Sequence, residues 1–119
     1  MYAYARIKSI LREITDISQE DLKLINYELL DQSHERKLLG MLNDFNRCVE
    51  FTTENYKPLY LCVYLYNLAK EFSRYYENVS IKKSKTKELQ VTRLQLIKSI
   101  AEILKVGLNL LGINVLEKM

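Results

Sequence analysis

What this sequence has least of is anything that breaks a helix: three glycines and one proline in 119 residues. With leucine, lysine, glutamate and isoleucine abundant, that scarcity favours helix throughout. Cysteine is nearly absent too. Cys48 and Cys62 are the only two, and His34 is the only histidine. The separation of the two cysteines and the absence of a secretion signal argue against a disulfide framework, and structural zinc wants four clustered ligands. Neither is expected, so no metal site is assigned. Both cysteines are expected as plain buried or half-buried thiols in a reducing compartment, and His34 as a surface residue. No apolar run approaches the roughly 18–20 residues of a membrane span. Met1 to Arg12 lacks the layout of a secretion signal. Also missing are a Gly-rich phosphate loop, a Ser/His/Asp set and carboxylates paired on a rigid motif, so no catalytic residue is assigned.

What is present is a polarised charge distribution. The net charge is +3. Between Arg74 and Lys105, eight basic residues face three acids, while Glu13 to Glu35 carries seven acids against Lys23 alone. Such a chain has one region suited to a polyanion and another that is not. The plainer alternative is an ordinary solvated surface.

Apolar spacing gives five helices in a single domain, residues 1–119. Tyr2 to Ile14 carries Ala3, Ile7, Ile10, Leu11 and Ile14 on one face. No capping residue precedes it, which suggests a chain cut from something longer. Ser18, with Asp21 three residues on, fits a capping box opening a second helix over Leu22, Ile25, Leu29 and Leu30. The third starts near Ser33 and runs to Phe51, with Gly40 and Asn43 to Asn46 placed to bend or split it. Pro58 opens the fourth, whose face is Leu61, Leu65, Leu68, Ala69, Phe72 and Tyr76. A basic loop, Ile81 to Lys87, follows. The fifth carries two apolar stripes, Leu94-Ile97-Ala101-Leu104-Leu108-Leu111 and Leu96-Ile100-Ile103-Leu110. A face that wide marks the central helix, with Gly112 closing it. The expected fold is an all-α antiparallel bundle of about five helices.

Nine tyrosines stand out. Unpaired RNA bases stack on such rings. Tyr75 and Tyr76 lie between Arg74 and the lysine loop, where ring and charge could serve one stretch of nucleotides. For most of the nine, such as Tyr60 and Tyr64, packing at core and rim is the expectation.

Several segments, in order, resemble the anticodon-binding domain of arginyl-tRNA synthetases. Tyr2-Ala3-Tyr4-Ala5-Arg6-Ile7 is similar to its opening Tyr-Ala-His-Ala-Arg-Ile. Glu35-Arg36-Lys37-Leu38-Leu39 resembles its Glu-x-x-Leu-Leu helix start. Tyr64 to Phe72, then Tyr76, resembles its Tyr-Leu-x-x-Leu-Ala-x-x-Phe-x-x-x-Tyr helix. Arg93-Leu94-Gln95-Leu96 looks like the Arg-Leu-x-Leu step of the DALR type. Gly107 to Ile113 and Glu117-Lys118-Met119 resemble its closing segment. Tyr4 departs from the histidine common there, and Phe45-Asn46 from a Phe-Pro pair. Lys82-Lys83-Ser84-Lys85-Thr86 resembles the Lys-Met-Ser-Lys-Ser loop of class I synthetases, but that loop needs a nucleotide-binding sheet and no strand is expected here.

The resemblance implies a non-catalytic tRNA-binding module of a ligase that joins arginine to its tRNA. The ligase would use ATP and magnesium in a catalytic domain preceding Met1; this chain itself would hold no cofactor. It also implies a cytoplasmic monomer without DNA or membrane partners. Carried over by motif, the residues near the anticodon are Tyr2, Arg6, Tyr76 and Met119, while Lys82, Lys83, Lys85 and Lys87 would meet the tRNA backbone. Arg93 fits either RNA contact or a structural ion pair. The alternatives are a stand-alone tRNA-binding protein of the same fold, or a helical docking module, which would require a broad exposed apolar stripe.

Overall fold

The computed structural model describes residues 2–112. Among these the architecture is all-α: α1 (Tyr2–Glu13), α2 (Ser33–Asn43), α3 (Phe45–Asn55), α4 (Pro58–Asn78) and α5 (Lys87–Leu110). The expected third helix is indeed split. Asp44 ends α2 and precedes α3, whereas Gly40 sits within α2 without interrupting it. The residues expected as a second helix instead form two short 3-10 turns, Asp21–Leu24 and Tyr27–Leu29. Their capping box is real: Ser18 N–H donates to Asp21 Oδ2 (3.0 Å) and Asp21 N–H to Ser18 Oγ (3.2 Å). What stops propagation is Asn26. Its backbone is extended, its Oδ1 accepts from Glu28 N–H, and its own N–H donates to Thr92 Oγ1 on α5 at 3.0 Å. A tertiary bond thus replaces the next helical one.

α5 is central. It packs against α1, α2, α4 and both 3-10 turns, while α3 rests on α2 and α4. Leu94, Leu96, Ile97, Ile100, Ala101 and Leu104 are buried. Leu110, expected on the second stripe, is exposed, because that stripe turns outward in the last turn. The helix begins at Lys87, capped by Thr86 Oγ1, which accepts from Leu89 N–H at 3.1 Å. Gly112 follows its end with φ +79°, the left-handed conformation expected of a closing glycine.

α4 runs antiparallel to α5. Its Leu65 meets Gly107 near the end of α5, so closely that an added Cβ would lie 2.7 Å from a Leu65 methyl. Its other end approaches Arg93 through Glu35. The buried residues Leu61, Leu65, Leu68, Phe72 and Tyr75 alternate four- and three-residue steps. The stripe therefore ends on Tyr75, not Tyr76 as the sequence pattern suggested, and Tyr76 is turned outward.

Two buried carboxylates lock these helices together. Glu35, 0% exposed, accepts from Arg93 Nε (2.8 Å), Tyr75 OH (2.7 Å) and Gln32 N–H (3.2 Å). It thereby joins α2, α4 and α5, and burial together with that carboxylate pushes the Tyr75 phenol well up. Glu71 on α4 meets His34 Nδ1 at 3.0 Å and Lys37 Nζ at 3.4 Å, both on α2, with Arg74 at 3.7 Å. His34 is thus half-buried and bonded, not a plain surface residue. Burial works to raise the Glu71 carboxyl, but the bonds from His34 and Lys37 prevail and hold it below its ordinary 4.5. Cys48 is buried, as expected, but Cys62 is exposed.

Three predictions follow from this packing. Ile100→Asp puts an unpaired charge at the centre and should abolish cooperative unfolding; a normally stable variant would show that α5 is not central. Glu35→Gln should lower unfolding free energy by about 3–5 kcal/mol, since Arg93 is left buried without its counter-charge. The triple replacement Glu35→Leu, Arg93→Met, Tyr75→Phe should recover much of that loss, and urea unfolding of the three proteins measures both effects. For Glu71 the folded carboxyl titrates lower than the unfolded one. Its contribution is present above the ordinary value of 4.5 and disappears as pH falls through the depressed value. Glu71→Gln should therefore flatten the acid limb of the stability profile.

Candidate nucleic-acid interface

Because the core stripe of α4 ends on Tyr75, the next residue must face away from it. Tyr76 is 42% exposed and leans on Phe72, with ring centroids 6.2 Å apart. α1 crosses here. The Arg6 guanidinium carbon lies 4.4 Å from the centroid of the Tyr76 ring and 4.4 Å from that of Tyr2. One Arg6 nitrogen also donates to the Tyr2 hydroxyl. Tyr2 and Arg6 face the same way because they are one helical turn apart. Ring, planar cation and ring thus form one polarised surface at the protein's edge, and Arg6 has no carboxylate partner among the described residues. Three of the four residues matched to the anticodon are together here. The fourth, Met119, lies outside the described residues.

An open trough leads away from this cluster. One part, of about 280 Å³, is lined by Tyr2, Arg6, Ser9, Arg12, Glu13 and Tyr76. The next, of about 460 Å³, shares Ile10, Glu13 and Tyr76 with it and runs on to Asn78, Ile81 and Lys82. The basic loop therefore begins where the aromatic surface ends.

The four lysines of that region are not equivalent. Lys82, Lys83 and Lys85 are exposed and form no ion pair among the described residues. Lys87 is the first residue of α5 and is engaged by Asp16, at 3.3 Å from Oδ2 and 3.1 Å from the backbone oxygen. The loop is held in shape from within. Ser84 donates to Ile81 O at 2.7 Å, Arg93 Nη1 donates to Ser84 Oγ at 3.2 Å, and Gln90 donates to Lys82 O at 3.3 Å.

Tyr75 does not belong to this surface, since its ring is in the core and its hydroxyl on Glu35. Tyr4, at the variant position, is also buried. Tyr64 is half-buried and donates to Met41 O, and Tyr60 is a rim residue tilted against Phe51. Sequence reasoning missed the roles of Glu35 and Glu71. A signal existed: Glu71 falls on the buried stripe of α4, and Arg93 stands among Val91, Thr92, Leu94 and Leu96 on a buried helix, which a charge occupies only with a partner.

Comparison with known proteins agrees with this architecture. The chain matches the family described as "DALR anticodon binding domain" over residues 1–119. It is 42% identical over 119 residues to the arginine–tRNA ligase of Crocosphaera subtropica, covering 100% of this chain and 20% of that protein. To the arginine–tRNA ligase of Histophilus somni it is 41% identical over 118 residues, 99% of this chain and 20% of the ligase. Among solved structures, Thermus thermophilus arginyl-tRNA synthetase superposes with a TM-score of 0.83 at 32% identity, over 99% of this chain and 20% of that one. Arginyl-tRNA synthetase from Plasmodium falciparum gives 0.81 at 29% identity, with the same coverage. The chain thus spans about a fifth of the relatives it matches. With the five-helix fold, a family match along its whole length and these similarities, the chain belongs to the DALR anticodon-binding domain family.

Proposed function

We propose that this domain holds the anticodon stem and loop of an arginine tRNA for an arginine–tRNA ligase. The single observation that carries the reading is the Tyr2–Arg6–Tyr76 stack. It is a cationic, partly exposed aromatic surface on which a splayed base could stack. The trough beside it supports the same reading. Glu13 and Glu77 line it; carboxylates repel phosphates and accept hydrogen bonds from base amino groups. Bases belong in the trough, and backbone belongs on the lysines beyond. Met119 joins this site on the strength of the family resemblance.

Aminoacylation itself would belong to the rest of the ligase. The described residues include no group of three or more His, Cys, Asp or Glu side chains placed to hold a metal, and ATP and magnesium are assigned to the catalytic domain on the strength of the family resemblance. No helix of the described residues is long and apolar enough to cross a membrane. A monomeric, cytoplasmic ligase with RNA and no DNA as partner is the setting proposed.

The decisive experiment separates base readout from backbone attraction. Tyr76→Ala should cost about 1–3 kcal/mol of tRNA binding and flatten discrimination between arginine tRNA and an anticodon mutant. Deleting Met119 should do the same more mildly. Lys83→Glu with Lys85→Glu should weaken all tRNAs alike, because phosphates carry no base identity. Unfolding is measured on the same samples. If folded Tyr76→Ala still discriminates anticodons fully, the proposed site is wrong.

A further inference from the structure

A second pocket adjoins the trough, sharing Asn78, Val79 and Ser80 with it. It is open, has a volume of about 530 Å³, and is also lined by Asp31, Gln32, Lys83, Lys85, Thr86 and Arg93. Its floor is Arg93, 8% exposed. One guanidinium nitrogen, Nε, is held by Glu35, and Nη1 reaches Ser84. Nη2 has no partner among the described residues. Arg93 itself lines the pocket, and Nη2 is not among the buried side-chain atoms left without a partner.

We propose that this pocket binds a phosphate group. The lining carries three cations, Lys83, Lys85 and Arg93, against one acid, Asp31. Glu35 lies behind Arg93, and its charge is already shared by three donors. The balance at the pocket is therefore positive. Gln32 and Thr86, which line the pocket, are the N-caps of α2 and α5, so the positive ends of two helix dipoles lie near it. A guanidinium whose Nη2 has no protein partner and two exposed ammonium groups suit a tetrahedral oxyanion. The source is either a backbone phosphate of the tRNA or free inorganic phosphate. Only the first depends on the function proposed above; it would make Arg93 an RNA contact as well as a structural ion-pair partner.

The test uses nitrogen-15 NMR of the 119-residue chain at constant ionic strength, with inorganic phosphate and sodium chloride as separate titrants. Phosphate, and not chloride, should shift the Arg93 side-chain N–H and the backbone amides of Lys83, Lys85 and Lys87 saturably. Lys83→Gln with Lys85→Gln, both exposed and outside the core, should weaken that binding about fivefold or more. Arg93→Lys keeps a charge against Glu35 but removes Nη2, and should weaken it further. In a second arm, tRNA is added. Shifts at the same resonances, reversed by competing phosphate, assign the pocket to the RNA backbone. Saturable shifts with phosphate alone keep the phosphate site and overturn the backbone source. No saturable shift, or shifts unchanged in the double lysine variant, overturns the pocket. These resonances are read independently of anticodon discrimination at Tyr76, so failure here and failure of the proposed function are distinct results.

Discussion

The buried Glu35–Arg93 ion pair is the interaction on which the rest of this structure depends. A carboxylate and a guanidinium removed from water carry large desolvation costs, and only close, fully bonded geometry offsets them. That geometry needs three helices in register: Glu35 on α2, Tyr75 on α4 and Arg93 on α5. A rotation of α4 by one residue would remove the Tyr75 hydroxyl from Glu35. The same pair reaches the surface, since Arg93 also holds Ser84 and hence the basic loop. Hydrophobic burial supplies the bulk of stability, but apolar faces tolerate sliding. A register that parted Glu35 from Arg93 would leave a buried charge unpaired and is penalised accordingly.

The register that keeps the pair together decides which tyrosine is available. Tyr75 and Tyr76 are adjacent, so their side chains leave α4 about 100° apart. With Tyr75 fixed on Glu35, Tyr76 must face α1, where Arg6 and Tyr2 meet it. A neighbour's buried hydroxyl therefore sets the orientation of an exposed ring. The Glu71 cluster reinforces this from the same helix, tying α4 to α2 one turn earlier.

Much of the fold is legible in the sequence because apolar spacing and breaker chemistry are local. Pro58, Gly112 and the Asn43–Asn46 break were each readable from one residue's conformational preference. The Asp21–Leu29 segment was not, because what ends its helix is a bond from Asn26 to Thr92, distant in sequence. Of the site, Tyr2, Arg6 and Tyr76 could be named from motif resemblance, but their assembly around one guanidinium could not. The resemblance also contained Glu35 and Arg93 as two separate motifs. Nothing in either motif says that they are two ends of one ion pair; that is a tertiary fact.

The surface charge is organised by the same tertiary contacts. Read along the chain, Lys82, Lys83, Lys85 and Lys87 are a single basic run. In the folded protein Asp16 neutralises Lys87. Lys82 lines the aromatic trough, and Lys83 and Lys85 line the Arg93 pocket. The loop is thus a ridge between two concave surfaces of different chemistry. One pairs π surfaces with carboxylates and suits bases. The other gathers the cations Lys83, Lys85 and Arg93, the chemistry proposed above for phosphates. On the function proposed above, bases would lie on one side of this ridge and phosphates on the other, which would constrain the path of an RNA strand as well as its affinity. Ser84 holds that ridge to Arg93, and through Arg93 to Glu35. One chain of contacts, Ser84–Arg93–Glu35, thus links the ridge to the buried junction of α2, α4 and α5.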